Sequence, residues 1–373
     1  GDGAAYSGLR EQLSGHLRRA RGLAADPDDI FLFPSLAMGL RAVAAACGLA
    51  GGQVALEDPG YGKARLALAE AGVTVRPVAV DDDGLRVAGL GPADRACYVT
   101  PAHQYPLGGR MSVRRRAGLL DWAWAQDALV LEDDYDGEFR YDVPPLIPLR
   151  SMPAGADRVV YFGTSSKILA RGMRVSWAVL PARYRDDMAA YLDRAGGAVS
   201  CVSAAFLASF IATGALTRHQ ARAMRTYSAR QARFVAACRE LIPGVRALGI
   251  EAGLHVVLAF DPGGRGGGPG GGPGDHGLDD VAAAGRLAAL GLACAPLSRF
   301  YADPATAGRT GLVCGYSRLP ETRARAAAAL ISQVVAGLRS DASPSDSSPP
   351  DSSPPDSSQS DDDRVPQDLQ HRG

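Results

Sequence analysis

Seven short runs of β-branched, aromatic and other apolar residues recur between residues 30 and 180, with helix-compatible stretches between them. Such alternation is typical of parallel strands joined by crossover helices. It predicts an α/β fold whose large domain contains a mostly parallel seven-stranded sheet. The predicted strands are 30–33, 54–57, 73–78, 97–100, 128–132, 158–162 and 175–180.

The sequence changes character near residue 200, where long stretches rich in alanine and arginine begin. The stretch 215–241 predicts one long helix, and 253–260 and 311–316 predict strands of a second, smaller α/β unit. A closing helix predicted from Pro320 carries apolar residues on one stripe. The expected domains are a large one at 1–200 and a small C-terminal one at 201–339.

Two segments lack residues that could form a core. Residues 263–274 are almost all glycine and proline, and no strand-to-helix context frames them as a phosphate loop. They predict a flexible surface insertion in the small domain. Residues 340–373 are rich in serine, proline and aspartate, so we expect a disordered tail that buries little apolar surface.

Charge and cysteine content narrow the possible functions. The 40 basic and 40 acidic residues cancel, and no basic stripe is interleaved with aromatics, so no nucleic-acid binding by these residues is predicted. The six cysteines form no CxxC pair and no metal-ligand cluster with histidine, which favours a reducing compartment and no metal. Neither a membrane span of ~20 apolar residues nor a signal peptide is evident, so we expect a cytoplasmic protein without membrane contact.

Lysine is almost absent from this chain. Of the 40 lysines and arginines, only Lys63 and Lys167 are lysines, and Lys167 closes the segment Gly-Thr-Ser-Ser-Lys that follows a predicted strand. Arginine would keep the positive charge but could not form a Schiff base, so a retained amine indicates nucleophilic chemistry. An ordinary surface lysine explains this segment equally well when it is considered alone.

Polar residues follow three of the predicted strands, at the edge where open parallel sheets bind ligands. The segments are 101–108 with His103, 132–141 with Asp133, Asp134 and Tyr135, and 163–167 with Lys167. A structural histidine and a solvated acidic loop are the common explanations for the first two. Three such segments at strand ends, in chain order, favour one shared crevice.

Pyridoxal phosphate needs the groups that these segments contain. A lysine amine holds its aldehyde, a carboxylate keeps its ring nitrogen protonated, and hydroxyls, backbone amides and an arginine bind its phosphate. Asp133 is the predicted partner of the ring nitrogen, with Asp134 as the alternative, and Tyr135 is the predicted partner of the phenolic oxygen. The predicted phosphate ligands are Thr164, Ser165 and Arg174, although a surface or salt-bridged arginine is ordinary in so arginine-rich a chain.

Four segments together resemble the aminotransferase-like domain of MocR-type regulators, a branch of the GntR group. They are 56–61, 99–108, 131–142 and 163–174. That domain is similar to fold-type-I aminotransferases, so the resemblance implies this fold for residues 1–338 apart from the glycine-rich insertion. It also implies a homodimer with cofactor sites at the subunit interface.

The resemblance implies roles for particular residues. Lys167 would form the internal aldimine with the cofactor, Asp133 would contact the pyridine nitrogen, and Tyr135 would lie near the phenolic oxygen. Thr164, Ser165 and Arg174 would bind the phosphate, Tyr61 would line the pocket, and His103 is a further cofactor-binding candidate.

Two positions depart from the pattern of that family. Where a glycine and small polar residues usually receive the phosphate, this chain has Pro-Ser-Leu36-Ala37, although the backbone amides of Leu36 and Ala37 can still face an anion. Where related aminotransferases carry an arginine for the substrate carboxylate, the chain has Val313. Arg318 or Lys63 could replace it, or the substrate lacks a carboxylate; a solvated helix lysine is the simpler interpretation of Lys63.

Full-length regulators of this family begin with a winged-helix DNA-binding domain. This chain begins at Gly1 without methionine, so we expect the winged-helix domain to be missing from it. DNA binding is expected only through that missing domain. The leading hypothesis is an effector-sensing domain in which an amino acid or amine forms an external aldimine. The alternatives are a free-standing aminotransferase, in which Lys167 acts as the general base, and a scaffold without cofactor.

Overall fold

The computed structural model describes residues 2–141, 146–196, 199–260 and 278–342. The predicted insertion at 263–274 and the predicted tail from residue 343 onward lie outside the described residues, whereas 340–342 still belong to the last helix.

Within the described ranges the chain forms ten α-helices and twelve strands, besides short 3-10 turns. The helices are α1 (Asp2–Arg21), α2 (Leu36–Ala46), α3 (Gly62–Glu70), α4 (Val113–Ala125), α5 (Ser165–Ile168), α6 (Arg185–Ala195), α7 (Cys201–Ala212), α8 (Ala215–Leu241), α9 (Asp280–Ala289) and α10 (Ala324–Ala342). The strands are β1 (Ile30–Phe33), β2 (Gln53–Asp58), β3 (Thr74–Asp81), β4 (Gly84–Leu85), β5 (Asp94–Val99), β6 (Leu129–Asp133), β7 (Val159–Thr164), β8 (Ser176–Val179), β9 (Val245–Leu248), β10 (His255–Phe260), β11 (Ala295–Pro296) and β12 (Gly311–Gly315).

The larger sheet has the strand order β1-β8-β7-β6-β5-β2-β3-β4. Its centre, from β7 to β3, is parallel, whereas β8 and β1 at one edge and β4 at the other pair antiparallel with their neighbours. This sheet confirms the predicted α/β class and contains all seven predicted strands. The eighth strand, β4, has only two residues, which is too short to leave a periodic signal in the sequence.

Helices cover both faces of this sheet. Helices α2 and α3 pack on one face through residues such as Leu40 and Leu68, and α4 packs on the other through Leu119 and Leu120. Strands buried on both faces must be apolar on both, which explains the continuous apolar runs in the sequence. The predicted cap of α4 is present, since the Ser112 hydroxyl accepts a hydrogen bond from a backbone amide of the first turn.

The second sheet is antiparallel, with the order β11-β12-β10-β9, and it packs against α8, α9 and α10. The predicted strands at 253–260 and 311–316 correspond to β10 and β12, and the predicted long helix is α8 with the expected bounds. The closing helix begins later than Pro320, because a 3-10 turn at Glu321–Arg323 precedes α10. Helix α7 packs on α1 beside the larger sheet, so the domain boundary near residue 200 stays a prediction.

No single described helix is long and apolar enough to cross a membrane, although α7 and α8, which meet at a bend of 80°, pass that test of length and composition when taken together.

Candidate functional site

A cavity of about 570 Å³ opens where the parallel strands of the larger sheet end. The ends of β6 and β7 and the first turns of α2 and α3 form much of its wall. Eight of the ten predicted site residues line this cavity: Leu36, Ala37, Tyr61, Asp133, Tyr135, Thr164, Lys167 and Arg174. They converge because parallel strands bring their carboxyl ends to one edge of the sheet.

Asp133, the last residue of β6, supplies a buried carboxylate to the cavity. Only 4% of its surface is exposed, and its Oδ2 accepts a hydrogen bond from the hydroxyl of Tyr98. Burial raises the pKa of Asp133 to about 7, while the hydrogen bond from Tyr98 and the charge of Lys167 act in the opposite direction. A cationic group facing Asp133 would therefore favour its charged form.

The first turn of α2 offers backbone amides to the cavity. Ser35 caps this helix, its hydroxyl accepting from the amide of Met38 at 3.3 Å. The amides of Leu36 and Ala37 belong to the first turn, where no intrahelical acceptor exists, so they are available to an anion at the positive end of the helix dipole.

Hydroxyl groups from β7, α5 and β8 lie on the same wall as that turn. The Thr164 hydroxyl accepts from the amide of Ser166 at 3.2 Å and from the hydroxyl of Ser176 at 3.1 Å. Arg174, which lies just before β8, has a left-handed backbone, φ 48°, and also lines the cavity. Together they form a hydroxyl- and arginine-lined recess that suits a phosphate.

Ser165 is one of two predicted site residues that do not line the cavity. Its hydroxyl donates to the carbonyl of Val175 at 2.7 Å, and its side chain is buried on the opposite side of the turn. Ser166 and Ser176 line the cavity instead. Ser176 could have been found from the sequence, because it is the one polar residue in the apolar run 175–180.

His103 is the second predicted residue that does not line the cavity. It lies behind Tyr135, with its Nδ1 2.9 Å from the Tyr135 hydroxyl and 2.9 Å from Oδ2 of Asp136. Tyr105, two residues further along, reaches the wall, and its ring packs edge-on against the rings of Tyr61 at 5.5 Å and Tyr135 at 5.6 Å. Both residues belong to the segment 101–108, so the sequence pointed to the segment but not to the tyrosine.

Val313 lies in an apolar cluster and does not line the cavity. Only 8% of its surface is exposed, and it packs with Val257 and Leu297 in an apolar cluster. Arg318 is exposed and does not line the cavity, whereas Lys63 does.

The chemistry of the donor set fits pyridoxal phosphate. The cavity presents one amine at Lys167, one buried carboxylate at Asp133 and one phenol at Tyr135, besides the hydroxyls and amides of the recess. Each matches a group that this cofactor needs around its aldehyde, ring and phosphate. The fold and the cavity therefore define an aminotransferase-like protein.

Comparison with solved structures agrees with this class. The chain superimposes on an archaeal alanine:glyoxylate aminotransferase with a TM-score of 0.78 and 22% sequence identity, covering 89% of this chain and 80% of that one. Identity at this level supports the shared fold only. No protein-family model matches the chain.

Comparison with curated sequences identifies the branch. The chain is 34% identical over 253 residues to the HTH-type pyridoxine biosynthesis transcriptional regulator PdxR of Corynebacterium glutamicum, covering 68% of this chain and 55% of that protein. It is 29% identical over 341 residues to the probable rhizopine catabolism regulatory protein MocR of Rhizobium meliloti, covering 90% of this chain and 65% of that protein. This chain therefore belongs to the MocR-type regulators of the GntR group and corresponds to their aminotransferase-like region, as the sequence resemblance predicted. It spans 55% of the length of PdxR and 65% of the length of MocR.

Proposed function

We propose that this chain is the pyridoxal-phosphate-binding, effector-sensing region of a MocR-type transcriptional regulator. The observation that carries the proposal is that the Lys167 amine, the Asp133 carboxylate and the first turn of α2 line one cavity. When bound, pyridoxal phosphate supplies an aldehyde that condenses with amines and a ring that accepts electrons.

Three side chains would hold the reactive part of the cofactor. Lys167 anchors the aldehyde carbon, and Asp133 holds a proton on the ring nitrogen, because a buried carboxylate is stabilised by a cation beside it. Burial raises the pKa of Tyr135 well above its usual value, so this side chain stays a neutral phenol that can donate to the ring oxygen.

The recess beside α2 would hold the phosphate. The amides of Leu36 and Ala37, the hydroxyls of Thr164 and Ser166 and the guanidinium of Arg174 all line it. A dianion gains from the helix dipole and from charge-assisted hydrogen bonds to arginine, so this end of the cavity orients the cofactor.

Sensing would act through the contact between the two sheets. The ring of Tyr105 packs against Tyr61 and Tyr135, which follow strands of the larger sheet. It also packs against His255 and Phe300, which belong to the part of the chain that forms the smaller sheet. An amino acid or amine bound beside Tyr105 would change the position of the smaller sheet relative to the larger one. Differential contacts of this kind let a ligand shift a conformational equilibrium.

The proposal includes a homodimer in the cytoplasm and a DNA-binding domain outside the residues printed here. The DNA-binding domain is supported by the relative PdxR, an HTH-type regulator of which this chain covers 55%. Translating the reading frame upstream of Gly1 tests the last part, and a frame without a winged helix contradicts it. Light scattering of the purified protein tests the dimer.

Borohydride reduction of the cofactor-loaded protein tests the central assignment. We expect a pyridoxyl group on the peptide that contains Lys167, since only an imine is reduced to a stable tag. Lys167→Arg should remove the tag and the absorbance of the bound cofactor. Lys63→Arg is the matched control, because Lys63 is the other lysine of the chain and lines the same cavity. A tag that persists in Lys167→Arg contradicts the proposal.

The second candidate function is that of a free-standing aminotransferase. The observation in its favour is that Lys167 and Asp133, the groups that the amino-transfer half-reaction requires, share one cavity. The loaded protein should then convert an amino acid to its 2-oxo acid and leave the cofactor as pyridoxamine phosphate. Absence of any oxo acid across a panel of twenty amino acids would exclude this activity.

A further inference from the structure

We infer that Lys63 binds a carboxylate of the ligand, so that the ligands of this cavity are amine-bearing carboxylates, amino acids among them, and not simple amines. The inference rests on the proposed function, because it assigns the ligand class for the same cavity. The proposed function itself assigns no role to Lys63, which the sequence raised as a possible ligand of a carboxylate.

Composition gives the first argument. Lysine is almost absent from the chain, and its two lysines are 104 positions apart in the sequence (167 − 63). The fold nevertheless brings both to the wall of one cavity. A solvated lysine on a helix could be exchanged for arginine without loss, so a compact ammonium at this wall favours a contact that the longer, planar guanidinium of arginine would reproduce only in part.

The distribution of charge gives the second argument. Three described cations line the cavity: Lys63, Lys167 and Arg174. Lys167 is assigned to the aldehyde, and Arg174 lies two residues from Ser176, whose hydroxyl bonds Thr164 in the phosphate recess. Lys63 is therefore the remaining positive charge for a second anionic group within the part of the wall that the structure describes.

The surroundings of Lys63 leave its ammonium available. It lies in the first turn of α3, next to Tyr61, and it is exposed. No described carboxylate forms an ion pair with it, and the one carboxylate on the described wall, Asp133, is hydrogen-bonded to Tyr98. A ligand whose amine reacts near Lys167 can therefore place a carboxylate toward α3 without displacing an existing salt bridge.

Two other positions are excluded as the source of this charge. Val313 is buried among apolar residues and does not line the cavity, and Arg318 lies outside the cavity wall as well.

Nuclear magnetic resonance provides a test that does not depend on activity. Borohydride reduction of the loaded protein first converts Lys167 to a secondary amine, and the tagged peptide shows whether the proposed function holds. Reductive ¹³C-methylation then labels the accessible amines, including the α-amine of the first residue, and keeps their positive charge. The Lys63 signal is identified as the dimethylamine signal that is missing from Lys63→Arg. Sodium propionate, a carboxylate without an amine, should shift the Lys63 methyl signal saturably, whereas equal concentrations of sodium chloride should not. An unmoved signal overturns the inference while leaving the Lys167 assignment intact.

Matched ligands provide the second measurement. The probes are L-2-aminobutyrate and 4-aminobutyrate, compared with propylamine, which is either of them without its carboxylate. Binding is followed by the absorbance of the loaded protein. We expect at least one aminobutyrate to bind more tightly than propylamine, and Lys63→Met to reduce that preference about tenfold, as loss of a charge-assisted hydrogen bond does.

Two further variants make the ligand experiment specific. Lys63→Arg should restore part of the preference, because it restores the charge, and Arg318→Met should leave it unchanged, because Arg318 lies outside the wall. Propylamine should bind Lys63→Met as it binds the unmodified protein. The inference is overturned if Lys63→Met keeps a preference for aminobutyrate over propylamine within twofold of that of the unmodified protein. It is also overturned if Arg318→Met loses as much of this preference as Lys63→Met does.

Discussion

At the scale of single residues, a buried carboxylate beside the cavity makes the stability of the fold depend on pH. Glu57 is 1% exposed, and its Oε2 accepts hydrogen bonds from the hydroxyl of Thr100 at 2.6 Å and from the amide of Thr100 at 3.2 Å. Its other oxygen, Oε1, is buried without a partner among the described residues. Burial raises the pKa of Glu57 to about 7, so the folded protein binds a proton there more tightly than the unfolded chain.

Glu57→Gln should therefore change how stability depends on pH. Below pH 4.5 the carboxyl is protonated in both states, and as pH rises to 7 the unfolded state ionises first and is favoured. The wild-type protein should lose roughly 3 kcal/mol relative to Glu57→Gln across that window, because each pKa unit corresponds to about 1.4 kcal/mol. Urea unfolding of both proteins at several pH values measures the difference, and a difference that does not vary with pH contradicts the prediction.

At the scale of elements, the first helix is fastened to the loop that follows β6. Arg21, the last residue of α1, is 4% exposed and donates from Nε to Oδ2 of Asp134 at 2.6 Å and from a guanidinium nitrogen to the carbonyl of Gly137 at 2.9 Å. The hydroxyl of Tyr161 donates to the same carboxylate oxygen at 2.7 Å. The loop that directly follows Asp133 therefore depends on α1 for its position.

Arg21→Met should destabilise the protein by roughly 3–5 kcal/mol, because it leaves the Asp134 charge buried without its partner. Arg18→Met is the matched control in the same helix, since Arg18 is exposed and its loss should change the free energy of unfolding little. Adding Asp134→Asn to Arg21→Met should recover part of the loss by removing the unpaired charge. Equal unfolding midpoints for the two single variants would show that the pair is not stabilising.

At the scale of the whole molecule, His255 joins the two sheets. It begins β10 of the smaller sheet, and its Nε2 lies 2.8 Å from the carbonyl of Pro106, in the segment that follows β5 of the larger sheet. A ring nitrogen of His255, a ring nitrogen of His103 and a carboxylate oxygen of Asp136 all lie within 4.8 Å of one another. The three residues are nevertheless far apart in the sequence. Burial, and after it the charge of His103, lowers the pKa of His255 to about 3, so it is neutral in the folded protein.

His255→Gln should therefore make the junction less sensitive to acid. The folded pKa lies below the unfolded value of 6.5, so this histidine's contribution to stability is present above pH 6.5 and falls as pH drops toward 3. Between pH 7.5 and pH 5 the wild-type protein should lose about 2 kcal/mol relative to His255→Gln, whose amide can still donate to Pro106. Chemical unfolding at the two pH values tests this, and an equal or larger loss in the variant would refute it.

The sequence by itself determined the strands and the edge of the sheet where the cavity lies. Strands covered on both faces must be continuously apolar, and parallel strands end at one edge, so the positions of Asp133, Tyr135 and Lys167 after their strands predicted that these side chains lie together. The family was also predictable, because its motifs are local segments. The order of the strands and the short β4 left no comparable local signal.

Only the tertiary structure decided which neighbouring side chain lines the cavity. Ser165 and Ser166 are adjacent, but the turn after β7 directs the first toward Val175 and the second toward the cavity. In the same way Tyr105 lines the wall while His103 packs behind it, and Lys63 joins Lys167 although no local pattern links them. Side-chain direction in turns and contacts between distant segments depend on the backbone path and on the packing of the whole chain, which residue type and spacing do not encode locally.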